Sequence, residues 1–163
     1  MSDKKECLPL LDIEKVTAIL GKIAIFAGLS DKRLYALFRL LEQVCYKKGE
    51  VVFERGDEPG YIYIVRSGRI KLIVREEEGP LELALMEEGQ CLGESSVIGI
   101  LKHDVTAIAE EDSELIVLSR RALLSIYTSD LEMFSTLIMN IAREVCRRLH
   151  ATDEVLLHYV LRK

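Results

Sequence analysis

Metal-ligating and disulfide-forming residues are scarce in this sequence of 163 residues. The three histidines form no HxH or HExxH pair, which removes the usual ligand spacing of metal-dependent jelly rolls and metalloproteases. The four cysteines have wide, irregular gaps that favour neither a zinc knuckle nor a disulfide framework. We interpret them as reduced cysteines without a functional role. These residues are His103, His150, His158, Cys7, Cys45, Cys91 and Cys146. No Ser-His-Asp or Cys-His set can be argued from so few histidines, so we expect no metal site, no catalytic residues and no enzyme activity.

Long apolar runs and an excess of positive charge are missing as well. No run approaches the ~20 apolar residues that span a bilayer, and the N-terminal stretch MSDKKECLPLLD lacks the apolar core of a signal peptide. The formal net charge is -5, which disfavours direct binding of nucleic acid because phosphates are bound by clustered Lys and Arg. We therefore expect a cytoplasmic domain with no membrane contact and no DNA-binding surface.

Two amphipathic helices are predicted before residue 44. In the stretch DIEKVTAILGKIAIF, apolar residues recur at steps of three and four, at Ile13, Val16, Leu20 and Ile23. The second helix has Ser30 as its predicted N-cap and ends before Cys45. Its apolar stripe comprises Leu34, Leu37, Phe38 and Leu41.

From position 45 the pattern changes to short runs of Val, Ile and Tyr punctuated by glycines, mostly 8 to 12 residues apart. Ser67-Gly68 is predicted to be the turn of a tight hairpin, and Glu78-Gly79-Pro80 marks the next reversal. A short helix in ESSVIGIL interrupts the strands before DVTAIAE and SELIVLS resume them. This pattern predicts antiparallel strands that close into a barrel or jelly roll to hide their edges.

The last part of the chain is predicted to be helical. Ser119 is the expected cap of the stretch RRALLSIY, and residues 129–132, SDLE, fit a capping box that opens a long helix. The apolar stripe of that helix comprises Phe134, Ile138, Ile141, Val145, Leu149, Thr152, Leu156 and Tyr159. Because the stripe is longer than a small barrel can cover, we expect it to form a coiled-coil seam in a homodimer. The alternative is a helix that folds back entirely onto its own barrel.

Two helices, a glycine-punctuated β-roll, an inserted helical loop and a long terminal helix, in this order, resemble the cyclic-nucleotide-binding domain of the catabolite activator protein family. The resemblance lies in KKGEVVFERGDEPGYIYIVRSGRIKL, GQCLGESSVIG and AREVCRRLHATDEV, and extends from about Phe26 to Val155. It implies a mainly β fold with flanking helices, a double-stranded β-helix (jelly roll) with a long C-terminal dimerisation helix. The expected division is 1–43, N-terminal helices; 44–118, β-roll with a phosphate-binding cassette at 93–106; and 119–163, C-terminal helices.

The resemblance also implies a set of ligand-binding residues in that cassette. The family pattern is Phe-Gly-Glu followed by two small residues and Leu, and here Leu92 stands in place of the aromatic residue. Gly93 would let the backbone approach a sugar phosphate, Glu94 would accept a hydrogen bond from the ribose 2'-hydroxyl, and Ser95 and Ser96 would supply N–H or hydroxyl donors. For Glu94, the alternative is a carboxylate favoured only by the helix dipole.

The phosphate end of the cassette departs from the family pattern. An Arg followed by a small hydroxyl residue is expected about eight residues on, at or next to His103, with Thr106 as the hydroxyl residue. The sequence instead has Lys102-His103-Asp104. A neutral His cannot make the two parallel bonds of a guanidinium, and Asp104 adds negative charge. Lys102 is a possible flexible substitute, and the alternative for His103 is a surface loop residue.

The terminal helix resembles the segment whose Thr and following residue contact the purine, one from each subunit of the dimer. Thr152 and Asp153 occupy those positions. Asp153 would accept from an exocyclic amine or be solvated. The alternative for Thr152 is a hydroxyl bonded back to its own helix carbonyl.

The function implied is a dimeric regulatory module that binds cAMP, cGMP or a related anion. After Thr152 the sequence continues only to Lys163, too short for a helix-turn-helix. We therefore expect either that the signal passes to a separate effector protein or that the effector domain is missing from this chain. One alternative is a domain with a degenerate pocket that acts as a structural or interaction dimer. Another is a redox or haem sensor using Cys91 or His150, although nothing in their spacing singles them out.

Overall fold

The computed structural model describes residues 5–10, 20, 23–76 and 79–161. Its helical elements are a 3-10 turn at Ala24–Phe26 and helices α1 (Asp31–Phe38), α2 (Glu94–Gly99), α3 (Arg120–Ser129) and α4 (Leu131–Leu161). Its strands are β1 (Leu8–Pro9), β2 (Leu41–Tyr46), β3 (Val51–Phe53), β4 (Tyr61–Ser67), β5 (Ile70–Glu76), β6 (Gly79–Met86), β7 (Cys91–Leu92), β8 (Thr106–Ala109) and β9 (Ser113–Ser119).

The strands form two antiparallel sheets that face each other as a roll. One sheet has the order β1-β2-β9-β4-β7 and the other has the order β3-β8-β5-β6. The predicted mainly β jelly roll with a long C-terminal helix is therefore confirmed. The division at residues 43 and 118 stays a prediction, although β2 already begins at Leu41.

The five-stranded sheet is the middle layer of three, and this explains its continuous apolar runs. In β4, Ile62 and Ile64 pack towards the helices, whereas Tyr63 and Val65 point into the roll. Strand β9 alternates in the same way between the two cores. Because both faces of this sheet are buried, its central strands lack the polar alternation of a half-exposed strand.

Two details of the prediction are wrong, the place of Leu41 in the second helix and the turn at Ser67-Gly68. Leu41 belongs to β2, because helix α1 ends at Phe38 and the chain turns at once into the sheet. Ser67-Gly68 is not a hairpin turn, because β4 pairs with β9 and β7 whereas β5 pairs with β6 and β8. The chain therefore crosses from one sheet to the other at Gly68.

The other predicted strand features are confirmed. Strands β5 and β6 pair up to Glu76↔Gly79, so the chain reverses there as expected; residues 77–78 lie outside the described residues. The short helix α2 and the strands β8 and β9 also lie where the sequence predicted them.

The two terminal helices begin with side-chain caps, only one of which was identified correctly. Ser119 Oγ accepts from the N–H of Ala122 at 3.0 Å, as expected. The predicted capping box from Ser129 is wrong, because Ser129 still belongs to α3. The cap of α4 is Asp130, whose carboxylate accepts from the N–H of Met133 at 2.9 Å. Asp130 is also paired with Arg33 of α1 at 2.9 Å, which ties α4 to the N-terminal helices.

The predicted first helix falls largely on residues 11–19 and 21–22, outside the described residues. Leu20 and Ile23, near its end, are buried in the core between the helices and the sheet. None of the described helices, including the 31 residues of α4, combines the length and hydropathy needed to cross a membrane.

Candidate functional site

The cassette begins where β7 turns into α2 at Gly93. Gly93 caps α2 in a left-handed conformation, with φ of 82°. A Cβ atom at this position would lie 2.9 Å from the carbonyl oxygen of Tyr61. Only glycine combines this backbone angle with such a close approach to β4. The glycine at position 93 therefore has a structural reason independent of any ligand, and its predicted contact with a sugar phosphate stays a prediction.

Glu94 opens α2 and is completely buried. One of its carboxylate oxygens forms an ion pair with Arg148 of α4, and Arg148 also donates to the carbonyl oxygen of Cys91 at 3.2 Å. Glu94 Oε2 has no hydrogen-bond partner among the described residues. Burial lowers the pKa of the Arg148 guanidinium, but arginine keeps its charge under ordinary conditions. Glu94 thus joins the cassette directly to the long terminal helix.

The three hydroxyl residues of the candidate set have different environments. Ser95 is exposed and Ser96 is buried within the first turn of α2, a turn that has no side-chain cap. Thr106 is also buried, and its Oγ1 accepts from the backbone N–H of Arg55 at 3.1 Å. The Thr106 hydroxyl therefore holds the loop between β3 and β4 in place.

His103 is buried inside the roll, so its interpretation as a surface loop residue is wrong. Its ring stacks on Phe53, with ring centroids 3.8 Å apart, and only 4% of the residue is exposed. Its backbone N–H donates to Asp57 O at 3.0 Å, and its carbonyl accepts from Gly56 N at 2.8 Å. Burial lowers the pKa of His103, against the opposing effect of Asp57 and Asp104. The ring is therefore neutral near pH 7 and adds no cation to the cassette.

The His103 ring also limits the space beside Gly93. A Cβ atom on Gly93 would lie 3.5 Å from His103 Cε1, so the ring borders the start of α2. The position directly before Thr106 is Val105, which packs on the apolar interior of the roll. Lys102, the proposed substitute cation, pairs with Glu58 at 3.4 Å.

Thr152 and Asp153 are exposed on α4. Thr152 Oγ1 donates to the carbonyl oxygen of Arg148 at 2.9 Å, as the alternative for Thr152 expected. Both residues lie about one turn beyond Arg148 on the same helix.

Sequence reasoning missed two members of the site, Arg148 and Phe53. Arg148 lies inside the stretch AREVCRRLHATDEV that carried the family resemblance, four residues before Thr152. Its i, i+4 spacing from Glu144 places it on the face of α4 that packs against the roll. That spacing is a signal that could have identified Arg148, whereas the stacking of Phe53 on His103 depends on tertiary structure.

Comparisons with known proteins agree with this architecture. The family model described as "Cyclic nucleotide-binding domain" matches residues 43–130, more than half of the chain. The "Cyclic AMP receptor protein" of Thermus thermophilus is 29% identical over 131 residues, which cover 79% of this chain and 58% of that protein. The chain therefore spans little more than half the length of this relative.

Two solved structures are similar in three dimensions. The catabolite activator protein of Thermus thermophilus has a TM-score of 0.73 at 27% identity, covering 84% of this chain and 63% of that chain. A cyclic nucleotide-binding domain from Methylobacillus flagellatus has a TM-score of 0.80 at 19% identity, covering 90% and 83%. The second likeness concerns the fold alone.

Proposed function

The chain belongs to the cyclic nucleotide-binding domain family, and from this premise we propose that it is the effector-sensing and dimerising module of a regulator. The effector is a small anion of the cyclic nucleotide type, such as cAMP or cGMP, bound at the cassette 93–106. The signal leaves through α4, which pairs with a second copy of the chain and acts on an effector protein. The domain has a regulatory and not a catalytic role.

The observation that carries the proposal is the buried carboxylate of Glu94. Its Oε2 atom lacks a hydrogen-bond partner among the described residues, and a buried acceptor without a donor costs about 1 to 3 kcal/mol. A ribose hydroxyl bound beside Gly93 would supply that donor. Ser95, Ser96 and Thr106 lie in the same cassette and offer N–H and hydroxyl groups to the rest of the effector.

Transmission to α4 follows from the ion pair between Glu94 and Arg148. A ligand that hydrogen-bonds to Glu94 competes with, or reorients, the contact to Arg148. Because Arg148 lies about one turn before Thr152 and Asp153, a change at the cassette reaches the part of α4 that extends beyond the roll. Thr152 and Asp153 would contact the base of an effector held by the second copy.

The affinity for a cyclic nucleotide is expected to be weak. The neutral His103 ring replaces a guanidinium, and charge-assisted hydrogen bonds contribute about 1.5 to 3 kcal/mol each. Losing the bidentate contact would weaken binding by one decade or more. The burial of His103 against Phe53 also favours the second candidate, a structural or interaction dimer whose pocket is filled.

Binding measurements separate the two candidates. We expect titration of the full chain with cAMP and with cGMP to give saturable binding in the high micromolar range or above, lost in the Glu94→Ala variant. Arginine introduced by His103→Arg or Val105→Arg, one at a time, is expected to tighten binding about tenfold or more. Lys102→Arg is the matched control, because that side chain is exposed and paired with Glu58. Absence of saturable binding in all of these proteins would favour the structural dimer.

A further inference from the structure

The cassette offers an incoming phosphate little positive charge. Among residues 93–106, all of which the structure describes, the only lysine or arginine is Lys102, and it is paired with Glu58 at 3.4 Å. Arg148 reaches the cassette from α4, but its guanidinium forms an ion pair with the buried Glu94 carboxylate. Each of these two cations is therefore already matched by a carboxylate of the chain.

The side chains beside Gly93 are uncharged. A Cβ atom at Gly93 would lie 3.5 Å from His103 Cε1 and 3.5 Å from Tyr63 Cδ2. Burial lowers the pKa of the His103 ring and raises the pKa of the Tyr63 hydroxyl, so both rings are neutral near pH 7. A phosphate that approached the Gly93 backbone would lose water without gaining a cation, which is costly for an anion.

Acidic side chains lie at the phosphate end of the cassette. Asp57 and Asp104 are both exposed, and both act on the titration of His103, which places them within electrostatic reach of its ring. Arg55 lies beside them, but it contacts Thr106 through its backbone N–H, and the residue is exposed. Two carboxylates and one exposed guanidinium therefore surround this end, a balance that disfavours an anion.

The buried end of the cassette has the opposite requirement, a hydrogen-bond donor. Glu94 Oε2 is buried and has no hydrogen-bond partner among the described residues, and an ionised carboxylate oxygen can accept more than one hydrogen bond. A free ribonucleoside carries neighbouring 2'- and 3'-hydroxyls as donors, whereas a 3',5'-cyclic monophosphate keeps only the 2'-hydroxyl. The nucleoside thus supplies more of the donors that Glu94 lacks and carries no charge for the surroundings of Gly93 to oppose.

We propose that the cassette recognises the ribose diol and not the phosphate, so that its preferred ligands are uncharged ribonucleosides. The inference rests on the proposed function, since it uses the same site and the same contact to Glu94, and it moves the preferred effector from the cyclic monophosphate to the nucleoside. The cyclic monophosphates are weaker ligands of the same site. They keep the base and the 2'-hydroxyl, but their negative charge meets the carboxylates of Asp57 and Asp104.

Isothermal titration of the full chain with adenosine, guanosine, cAMP and cGMP tests the proposal, because the members of each pair differ only in the cyclic phosphate. We expect each nucleoside to bind about tenfold more tightly than its cyclic monophosphate, and 2'-deoxyadenosine to bind about tenfold more weakly than adenosine. A cyclic monophosphate that binds as tightly as its nucleoside, or more tightly, would overturn the inference and leave the proposed function standing. Equal affinity for adenosine and 2'-deoxyadenosine would overturn the contact to Glu94. No saturable binding of any of these compounds would overturn both the inference and the proposed function.

Charge variants show whether electrostatics sets this order of affinities. Asp104→Asn removes a carboxylate from the phosphate end, and we expect it to tighten cAMP about threefold and leave the affinity for adenosine unchanged. Glu111→Gln is the matched control, because Glu111 lies beyond the far end of β8 from the cassette and pairs with Arg69; it should change neither affinity. Equal gains for both ligands in Asp104→Asn would contradict the charge argument. A loss of cAMP binding alone in Arg55→Gln would show that Arg55 holds the phosphate, and would overturn the inference.

Discussion

At the scale of single residues, the burial of His103 governs how acid affects the fold. The pKa of His103 is lowered by burial from its ordinary value of 6.5, so the unfolded chain binds a proton at a higher pH than the native chain. Stability therefore rises with pH through the window below about 6.5 and is lost as the pH falls through it. We expect the urea midpoint of the chain to drop between pH 7.5 and pH 5.

Replacing the titrating ring separates this effect from other acid effects. In His103→Gln, part of the pH dependence below 6.5 should disappear, whereas His150→Gln should retain it because His150 is exposed. Urea unfolding at several pH values provides the comparison. An unchanged slope in His103→Gln would contradict the assignment.

The contact between Glu94 and Arg148 is the second feature at this scale. Arg148→Met leaves the fully buried Glu94 carboxylate without a cation, and we expect a loss of about 2 to 4 kcal/mol in the free energy of unfolding. The double variant Glu94→Gln with Arg148→Met should recover part of that loss, because the buried charge is gone. Urea denaturation of the single and double variants measures the coupling. Strictly additive losses would show that the two side chains do not interact.

At the scale of structural elements, Gly68 marks the corner where the chain passes between the sheets. Its φ is +82°, and a Cβ atom there would lie 2.7 Å from Asp112 O and closer still to Ser113 Oγ. Gly89 has nearly the same φ, +83°, with open space around it. Gly89→Ala is therefore expected to cost about 1 kcal/mol, and Gly68→Ala at least 2 kcal/mol more. Thermal or urea unfolding measures both, and equal losses would contradict the crowding at Gly68.

The pattern of residues predicted the elements better than their connections. The short apolar runs of β4 and β9 and the position of Ser119 were sufficient, because each depends on local sequence. The Ser67-Gly68 pair is compatible both with a hairpin turn between paired strands and with a corner between two sheets. Only the three-layer packing decides between them. The cap of α4 is Asp130 and not Ser129, and the same carboxylate pairs with Arg33, which is remote in sequence.

The same division between local and tertiary information applies to the cassette. Gly93 and Glu94 were identified because they match the family's cassette pattern, which lies in one short stretch of sequence. The burial of His103 and the contact of Glu94 with Arg148 depend on elements far apart in sequence. Phe53 belongs to β3 and Arg148 to α4, and no spacing within the cassette indicates either partner.

At the scale of the whole molecule, the two halves of α4 have different environments. Its first half packs on the roll through Leu137 and Ile141, whereas its second half carries Leu156, an exposed residue of the apolar stripe predicted to pair with a second copy. Leu156→Arg is expected to weaken dimerisation at least tenfold without lowering the melting temperature of the roll, because it removes an apolar contact from the predicted dimer interface. Val155→Arg is the matched control, since Val155 is even more exposed and is not part of that stripe. Sedimentation velocity compares the two, and equal effects would place the interface elsewhere.

The central claim is that the cassette and α4 respond to an effector as one mechanical unit through Glu94 and Arg148. Hydrogen exchange of the full chain with and without millimolar cAMP tests this claim most directly. We predict altered amide protection both in α2, residues 94–99, and in the segment of α4 around residues 144–152, and predict that Arg148→Met confines the change to α2. Protection that changes in α2 while α4 stays the same in the unaltered chain, or no change in either element, would contradict the claim.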